Sequence, residues 1–208
     1  MGDLTVATDD KKVHDKELIQ KLRDITGVGM MDCKKALDEA QGDIEKAIEI
    51  LRKKGAAVAS KRAAKETSEG IIHAYIHPGS RLGVLIEVNC ETDFVARTPD
   101  FTQFAQDVCL HIAALKPLYL NPEEIDPKFL DHEKSILREQ LASSGKPEKI
   151  ITQILEGKVQ KLYDEICLMR QPFVKNDQIT VAERLNELIA KTGENIKIKR
   201  FTRYELGE

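Results

Sequence analysis

The side chains best suited to metal binding or nucleophilic attack are four cysteines, Cys33, Cys90, Cys109 and Cys167, and five histidines, His14, His73, His77, His111 and His132. A zinc site needs such residues in pairs at short spacing, and no C-x-x-C pair is present. His73 and His77 are four apart, but in a segment that reads as strand, where they are too far separated to share a metal easily. The cysteines read as reduced, mostly buried thiols. The motifs of phosphate and covalent chemistry are also missing: no G-x-x-x-x-G-K-[ST], no G-x-G-x-x-G after a strand, no G-x-S-x-G and no H-E-x-x-H. No histidine has a serine or cysteine partner recognisable from local spacing. Neither an enzyme active site nor a cofactor is expected.

Two stretches offer the chemistry of a protein surface instead. Glu91-Thr92-Asp93-Phe94-Val95 leaves a strand just before a helix that opens near Pro99. A large aromatic flanked by an acid at a strand exit is well placed to protrude from a rigid scaffold, although spacing alone favours Phe94 packing into the core. In the run from Thr26 to Leu37, Gly27 and Gly29 stand beside Met30 and Met31, which puts soft apolar side chains at a helix start within reach of a partner. One methionine in the core and one on its rim fits that pattern equally well.

The elements that must hold these stretches follow from periodicity. Residues 1–12 show none and read as a loose tail. From Val13, apolar residues recur at helical spacing: Leu18, Leu22 and Ile25, then Met30, Cys33 and Leu37, then Ile44, Ala47, Ile48 and Leu51. Gly27 and Gly29 separate the first two helices, and Gly42 with Asp43 supplies a stop and an N-cap before the third. Residues 13–54 therefore read as a compact three-helix module near the lower size limit for independent folding. Residues 55–69 read as an exposed helical linker, the end of a basic run with Arg52, Lys53, Lys54, Lys61, Arg62 and Lys65 and no acid before Glu66.

At Gly70 the period becomes two. Ile72, Ala74 and Ile76 alternate, the turn His77-Pro78-Gly79-Ser80 follows, and Leu82, Val84, Ile86, Val88 and Cys90 complete a hairpin. Phe101, Phe104, Ala105, Val108 and Ile112 predict a helix ending near Lys116-Pro117. Helical spacing returns from Asp126 to about Ile166, broken by a turn at Ser144-Gly145-Lys146-Pro147. Thr180 to Glu183 is a capping box before a helix whose Val181, Leu185, Leu188 and Ile189 face the core. Residues 195–201 predict a third strand. The fold class is α+β, with a three-helix module, a linker and a core domain, residues 70–208, built as a small antiparallel sheet covered by helices.

Composition bounds the rest. The chain has 208 residues, 41% hydrophobic and 32% charged, enough apolar content for a real core. Its formal charge of −3 gives no global attraction to nucleic acid or to an anionic membrane. No stretch approaches the roughly 18 continuous apolar residues of a membrane span, and the N-terminus has no apolar signal region. The reading is a cytosolic protein. The basic run of 52–65 would suit a phosphate-tracking arm, but it has no interleaved aromatics to stack on bases, which favours a solvated linker.

The motifs carry a family resemblance that covers nearly the whole chain past the tail. Leu22 through Thr26-Gly27-Val28-Gly29-Met30-Met31-Asp32-Cys33-Lys34-Lys35-Ala36-Leu37, with Gly42-Asp43 and Ile44 to Leu51, resembles the N-terminal domain of the translation elongation factor Ts family. Val84-Leu85-Ile86-Glu87-Val88-Asn89-Cys90-Glu91-Thr92-Asp93-Phe94-Val95 is similar to that family's core signature. Further matches are His77-Pro78-Gly79 with Arg81, Ser144-Gly145-Lys146-Pro147, Gln171-Pro172-Phe173-Val174 and the closing Arg203-Tyr204-Glu205-Leu206-Gly207-Glu208.

The resemblance implies a guanine-nucleotide exchange factor for elongation factor Tu. A module similar to ubiquitin-associated domains would dock on the GTPase domain through the loop around Val28, Met30 and Met31. The core would present Thr92, Asp93, Phe94 and Val95 to the region holding Mg²⁺, and His77 to the phosphate-loop side. Longer family members resemble two copies of the core subdomain, with the Asp-Phe exit in one and the histidine turn in the other. This chain holds one copy bearing both, so a homodimer is expected to rebuild the two-copy surface. The long coiled-coil insertion of some members is not matched. The competing reading is a scaffold or RNA-binding protein using the three-helix module and the basic 52–65 segment.

Overall fold

The computed structural model describes residues 6–142 and 147–208. The first three helices, α1 (Val6–Thr26), α2 (Met30–Glu39) and α3 (Ile44–Arg62), pack around Leu22, Cys33, Ala36, Leu37, Ala40, Ala47 and Leu51. α1 thus includes the second half of the expected tail, which carries no apolar period to announce a helix; residues 1–5 lie outside the described residues. Ile25, expected on the inner stripe, is more than half exposed at the end of α1. Between α2 and α3 the left-handed position falls on Gln41 (φ +55°) as well as Gly42 (φ +85°). The Gly42 and Gln41 amides return to Leu37 O and Asp38 O, closing the helix end. Asp43 caps α3 by accepting from the Lys46 N–H at 3.1 Å.

α3 takes in the first half of the segment read as a helical linker. It runs on as one helix through Arg62, because the Ala-rich run after Gly55 favours helix and nothing breaks it. Gly55 is buried where α3 meets α8 (Val181–Thr192); a Cβ there would lie 3.4 Å from Ala190 Cβ and 3.5 Å from Asn186 O. A small residue lets the two backbones approach. The same helix therefore packs in the three-helix cluster and against the rest of the chain.

The central sheet has strand order β1-β2-β5, all antiparallel, with β1 (Glu69–Ile76), β2 (Leu82–Cys90) and β5 (Ile196–Glu205). Alternation puts Val84, Ile86, Val88 and Cys90 of β2 on the buried face, beside Ile196 and Ile198 of β5. That face is covered by α5 (Pro99–Leu115) and α8, which contribute Phe101, Phe104, Val108, Ile112, Val181, Leu185, Leu188 and Ile189 to the core. β1 shows the expected alternation, but Ile72, Ala74 and Ile76 point to solvent while Ile71 and Tyr75 pack on the core. Opposite them on the outer face lie Leu85 and Tyr204, an open apolar patch bounded by the Glu87–Arg200 ion pair beside Ile72.

The one-turn helix α4 (Asp93–Ala96) joins β2 to α5. α6 (Pro127–Ala142) and α7 (Glu148–Ile166) pack on each other, with an Arg138–Glu148 ion pair between them. The turn expected at 144–147 lies outside the described residues except for Pro147, which precedes α7 in extended backbone. A two-stranded ribbon not anticipated from the sequence, β3 (Pro172–Phe173) with β4 (Asn176–Thr180), is held on α5 by buried His111. The Val174 N–H donates to His111 Nδ1 at 3.2 Å, and Nε2 pairs with Gln171 Oε1 at 2.9 Å. Burial pushes the pKa of this histidine below its ordinary value. Among the described residues no helix is long and apolar enough to cross a membrane.

Candidate protein-docking site

The turn after β2 is built from both ends of the core domain. Thr92, in extended backbone, caps α4 by accepting from the Val95 N–H at 3.5 Å, and Thr98 donates to Val95 O at 2.8 Å at the other end. A four-residue helix has no stability of its own, so its geometry must be imposed from outside. Glu194, in the loop between α8 and β5, accepts from the Thr92 N–H at 3.0 Å and from Thr92 Oγ1 at 2.6 Å. Glu91 reaches the opposite way and accepts from the Asn195 N–H at 2.6 Å, while Arg62 at the end of α3 pairs with it at 3.4 Å. Buried Asn195 donates through its side-chain amide to Lys65 O at 2.7 Å, tying the chain after α3 to the same junction.

On this frame Val95 packs against the core and Ala96 is buried. Asp93 pairs with Arg97 at 2.9 Å, an exposed contact of the kind that contributes at most about 1 kcal/mol. Phe94 is 81% exposed. This overturns the expectation from spacing that it joins the core. The buried positions of the turn are filled by Val95 and Ala96, and a helix of one turn has no second inward face to offer the ring.

Met30 and Met31 are likewise both exposed, 51% and 65%, so neither takes the core position that the pattern allowed. Cys33, Ala36 and Leu37 fill that face of α2. Val28 packs half-buried on the three-helix cluster. The loop is fixed from the core side: a Cβ on Gly27, where φ is +67°, would lie 3.3 Å from Lys191 Nζ, and Lys191 pairs with Asp100 at 2.7 Å. Asp100 follows Phe94 by only six residues, a path of at most about 20 Å. The loop before α2 therefore lies beside the start of α5, the helix that follows the Phe94 turn.

His77 lies away from the Phe94 turn. It sits in the β1–β2 turn, where the Ser80 N–H donates to His77 O at 2.9 Å, and its Nδ1 pairs with Tyr75 OH at 2.9 Å. The nine residues of β2 separate the two turns, about 25–30 Å at about 3.3 Å per residue. His73, four residues earlier on β1, bonds Gln106 Oε1 at 2.6 Å. Among the described residues no group of three or more His, Cys, Asp or Glu is placed to hold a metal ion. All four cysteines are free and buried; burial raises the thiol pKa to about 11 in Cys90, about 12 in Cys109 and about 11 in Cys167, and Cys33 is raised too. Thiols so shifted stay protonated and are poor nucleophiles.

Glu194 and Asn195 were not picked out in the sequence. They lie about a hundred residues from the turn they hold, and the only local signal is a polar pair after a glycine helix stop, which reads as an ordinary loop.

Comparison with known proteins agrees along the whole described chain. A family model described as Elongation factor TS matches residues 10–208. Elongation factor Ts of Carboxydothermus hydrogenoformans is 53% identical over 192 residues, covering 92% of this chain and 88% of that protein. Its counterpart in Syntrophus aciditrophicus is 54% identical over 191 residues, with 92% and 95% covered. That of Thermotoga maritima is 54% identical over 192 residues, with 92% and 96% covered. With a family match over nearly all of its length and relatives above half identity, this chain belongs to the elongation factor Ts family.

Proposed function

We propose that this protein is a guanine-nucleotide exchange factor that binds the GDP form of elongation factor Tu and promotes GDP release in translation elongation. The observation that carries the reading is Phe94, an exposed aromatic on a turn tied through Thr92 to the α8–β5 loop and through Glu91, just before it, to the end of α3. Thr92, Asp93, Phe94 and Val95 enter the partner's Mg²⁺ region as a rigid wedge. Mg²⁺ requires near-ideal octahedral coordination, so displacing one supporting side chain by an ångström spoils the clamp on the β-phosphate. Removing about 4 kcal/mol of that clamp speeds release about a thousandfold. Linkage requires the converse, that nucleotide and Mg²⁺ weaken binding of this protein by the same coupling energy.

The loop with exposed Met30 and Met31 beside half-buried Val28 supports a docking contact with the GTPase domain, made by a ubiquitin-associated-like module. The separation of His77 from Phe94 supports a two-chain arrangement in which the two act on one partner from different subunits. The open apolar sheet face of Ile72, Ile76, Leu85 and Tyr204 supports homodimerisation through the core domain. No direct nucleic-acid partner is proposed: Lys53 faces Glu49, Lys54 faces Glu39 and Arg62 faces Glu91, which neutralises half of the basic segment. A cytoplasmic location follows from the proposed partner.

The test is release of a fluorescent GDP from purified elongation factor Tu at fixed Mg²⁺, with and without this protein. Strong acceleration is expected; release at the unassisted rate sinks the exchange reading. Mixing Phe94→Ala with His77→Ala chains then tests the two-chain arrangement, because only exchange of subunits restores an unmutated pair from defective parents.

A further inference from the structure

We propose that Glu194 is a positioning residue for the wedge, setting the direction in which Phe94 is presented. This rests on the exchange reading and names a residue of it that touches no nucleotide. Phe94 cannot orient itself, being exposed on a single helical turn. The orientation of that turn depends on its first residue, Thr92, which uses its hydroxyl as the α4 cap. Glu194 takes both remaining hydrogens of Thr92, on N at 3.0 Å and on Oγ1 at 2.6 Å. With the hydroxyl proton committed to Glu194, the oxygen lone pairs are left for the Val95 N–H.

The geometry is reciprocal. Segment 91–92 gives a carboxylate to segment 194–195 through Glu91 and Asn195 N, and receives one through Glu194 and Thr92 N. Gly193, left-handed at φ +73°, ends α8 and turns the chain so that Glu194 faces β2's exit. Cys90 adds a contact from beneath, its Sγ donating to Thr92 O at 3.1 Å. The two halves of the clamp differ in place. Glu91 and Asn195 hold buried or half-buried backbone together, whereas Glu194 acts at the exposed cap itself. Losing Glu194 therefore frees the wedge and leaves the core pairing of β2 with β5 intact.

The experiment uses two readouts. In GDP release titrated with the factor, Glu194→Ala is expected to lower the maximal rate by about tenfold or more, as misplacement of a reacting element does, with the half-saturating concentration and melting temperature close to the parent's. Glu194→Gln, which keeps an oxygen for the Thr92 N–H and an amide for Oγ1, is expected to restore most of the rate. Because the chain contains no tryptophan, Phe94→Trp supplies a single reporter; its fluorescence anisotropy decay is expected to gain a fast component when Glu194→Ala is added. An unchanged maximal rate, or a rate loss that tracks a fall in melting temperature and is not rescued by glutamine, overturns the proposal. If Glu194→Ala fails to fold, Glu194→Asp, which keeps the charge but draws the carboxylate one methylene back from Thr92, takes its place with the same two outcomes. If the parent does not accelerate release, the exchange reading falls, and the anisotropy comparison still decides whether Glu194 fixes the turn.

Discussion

The two turns at the ends of β2 are built in opposite ways. The His77 turn is held mainly by its own backbone bonds, a glycine at φ +92° and the hydroxyl of Tyr75 two residues away, with one outside bond from the Leu206 N–H to Arg81 O at 2.8 Å. The Phe94 turn is held by Glu194 of the α8–β5 loop at Thr92 and, through Glu91, by Arg62 of α3, with a local bond from Thr98. A contact residue can sit on a turn that yields, because binding can select its position. A wedge that must displace another protein's side chains has to resist the reaction force, and a single helical turn can do so only through tertiary anchors.

The largest effect expected from this contrast is on exchange itself. Phe94→Ala should slow assisted GDP release by about a hundredfold, equivalent to about 2.7 kcal/mol, whereas His77→Ala should cost only a few-fold, about 1 kcal/mol or less. Equal losses in stopped-flow release would erase the distinction between wedge and contact.

Next comes the surface proposed to bring the two turns together from different chains. Ile76→Asp, placing a charge on the open sheet face, should convert a dimer to monomers in sedimentation equilibrium and weaken exchange while the melting temperature holds. A monomer that exchanges as well as the parent would show that one chain's turns suffice.

A smaller effect separates the ways the turns are stabilised. Gly79→Ala meets no neighbour within 4 Å but must adopt φ +92°, so it should cost about 1–2 kcal/mol of purely local strain. Its consequence in amide hydrogen exchange should be confined to 77–82 and to Leu206, whose N–H donates to Arg81 O. Thr92→Ala, losing a cap worth about 1 kcal/mol, should instead raise exchange both at 92–97 and at 194–195, because the anchors are shared. Matching, local patterns for the two variants would remove the difference.

The smallest effect at neutral pH tests a region remote from both turns. His111 is held neutral in the core, with Nδ1 accepting from Val174 N–H. The unfolded chain therefore binds its proton more readily, and stability is full above the unfolded pKa of about 6.5. It should fall as the pH drops below that value toward the lowered folded one. His111→Gln should flatten this part of the stability profile measured by denaturant titration at pH 7 and pH 5.5, with little change in the Phe94 turn.

Much of this architecture was legible in the residues. The capping box at Thr180 and Glu183, the Asp43 cap, the inward set Val181, Leu185, Leu188 and Ile189, and the hairpin with its 77–80 turn depend on neighbours within a few positions, and all appear as read. The α3 boundary was not legible, because where a helix passes from one packing partner to another leaves no mark in its period. The two-residue strand β3 and its partner β4 were missed because so short a ribbon has no periodicity, and it is placed by distant contacts, the His111 and Gln171 bonds and the burial of Phe173 and Ile179 in the core.

The sequence by itself determined the element order, the buried face of β2 and the family, because period, caps and motifs are properties of adjacent residues. Only the tertiary structure decided that Phe94 faces solvent, that Ile72 and Ile76 lie on an open face, and that Glu194 holds Thr92. Each of these depends on which distant segment fills a space first, and a chain read one window at a time carries no record of that competition.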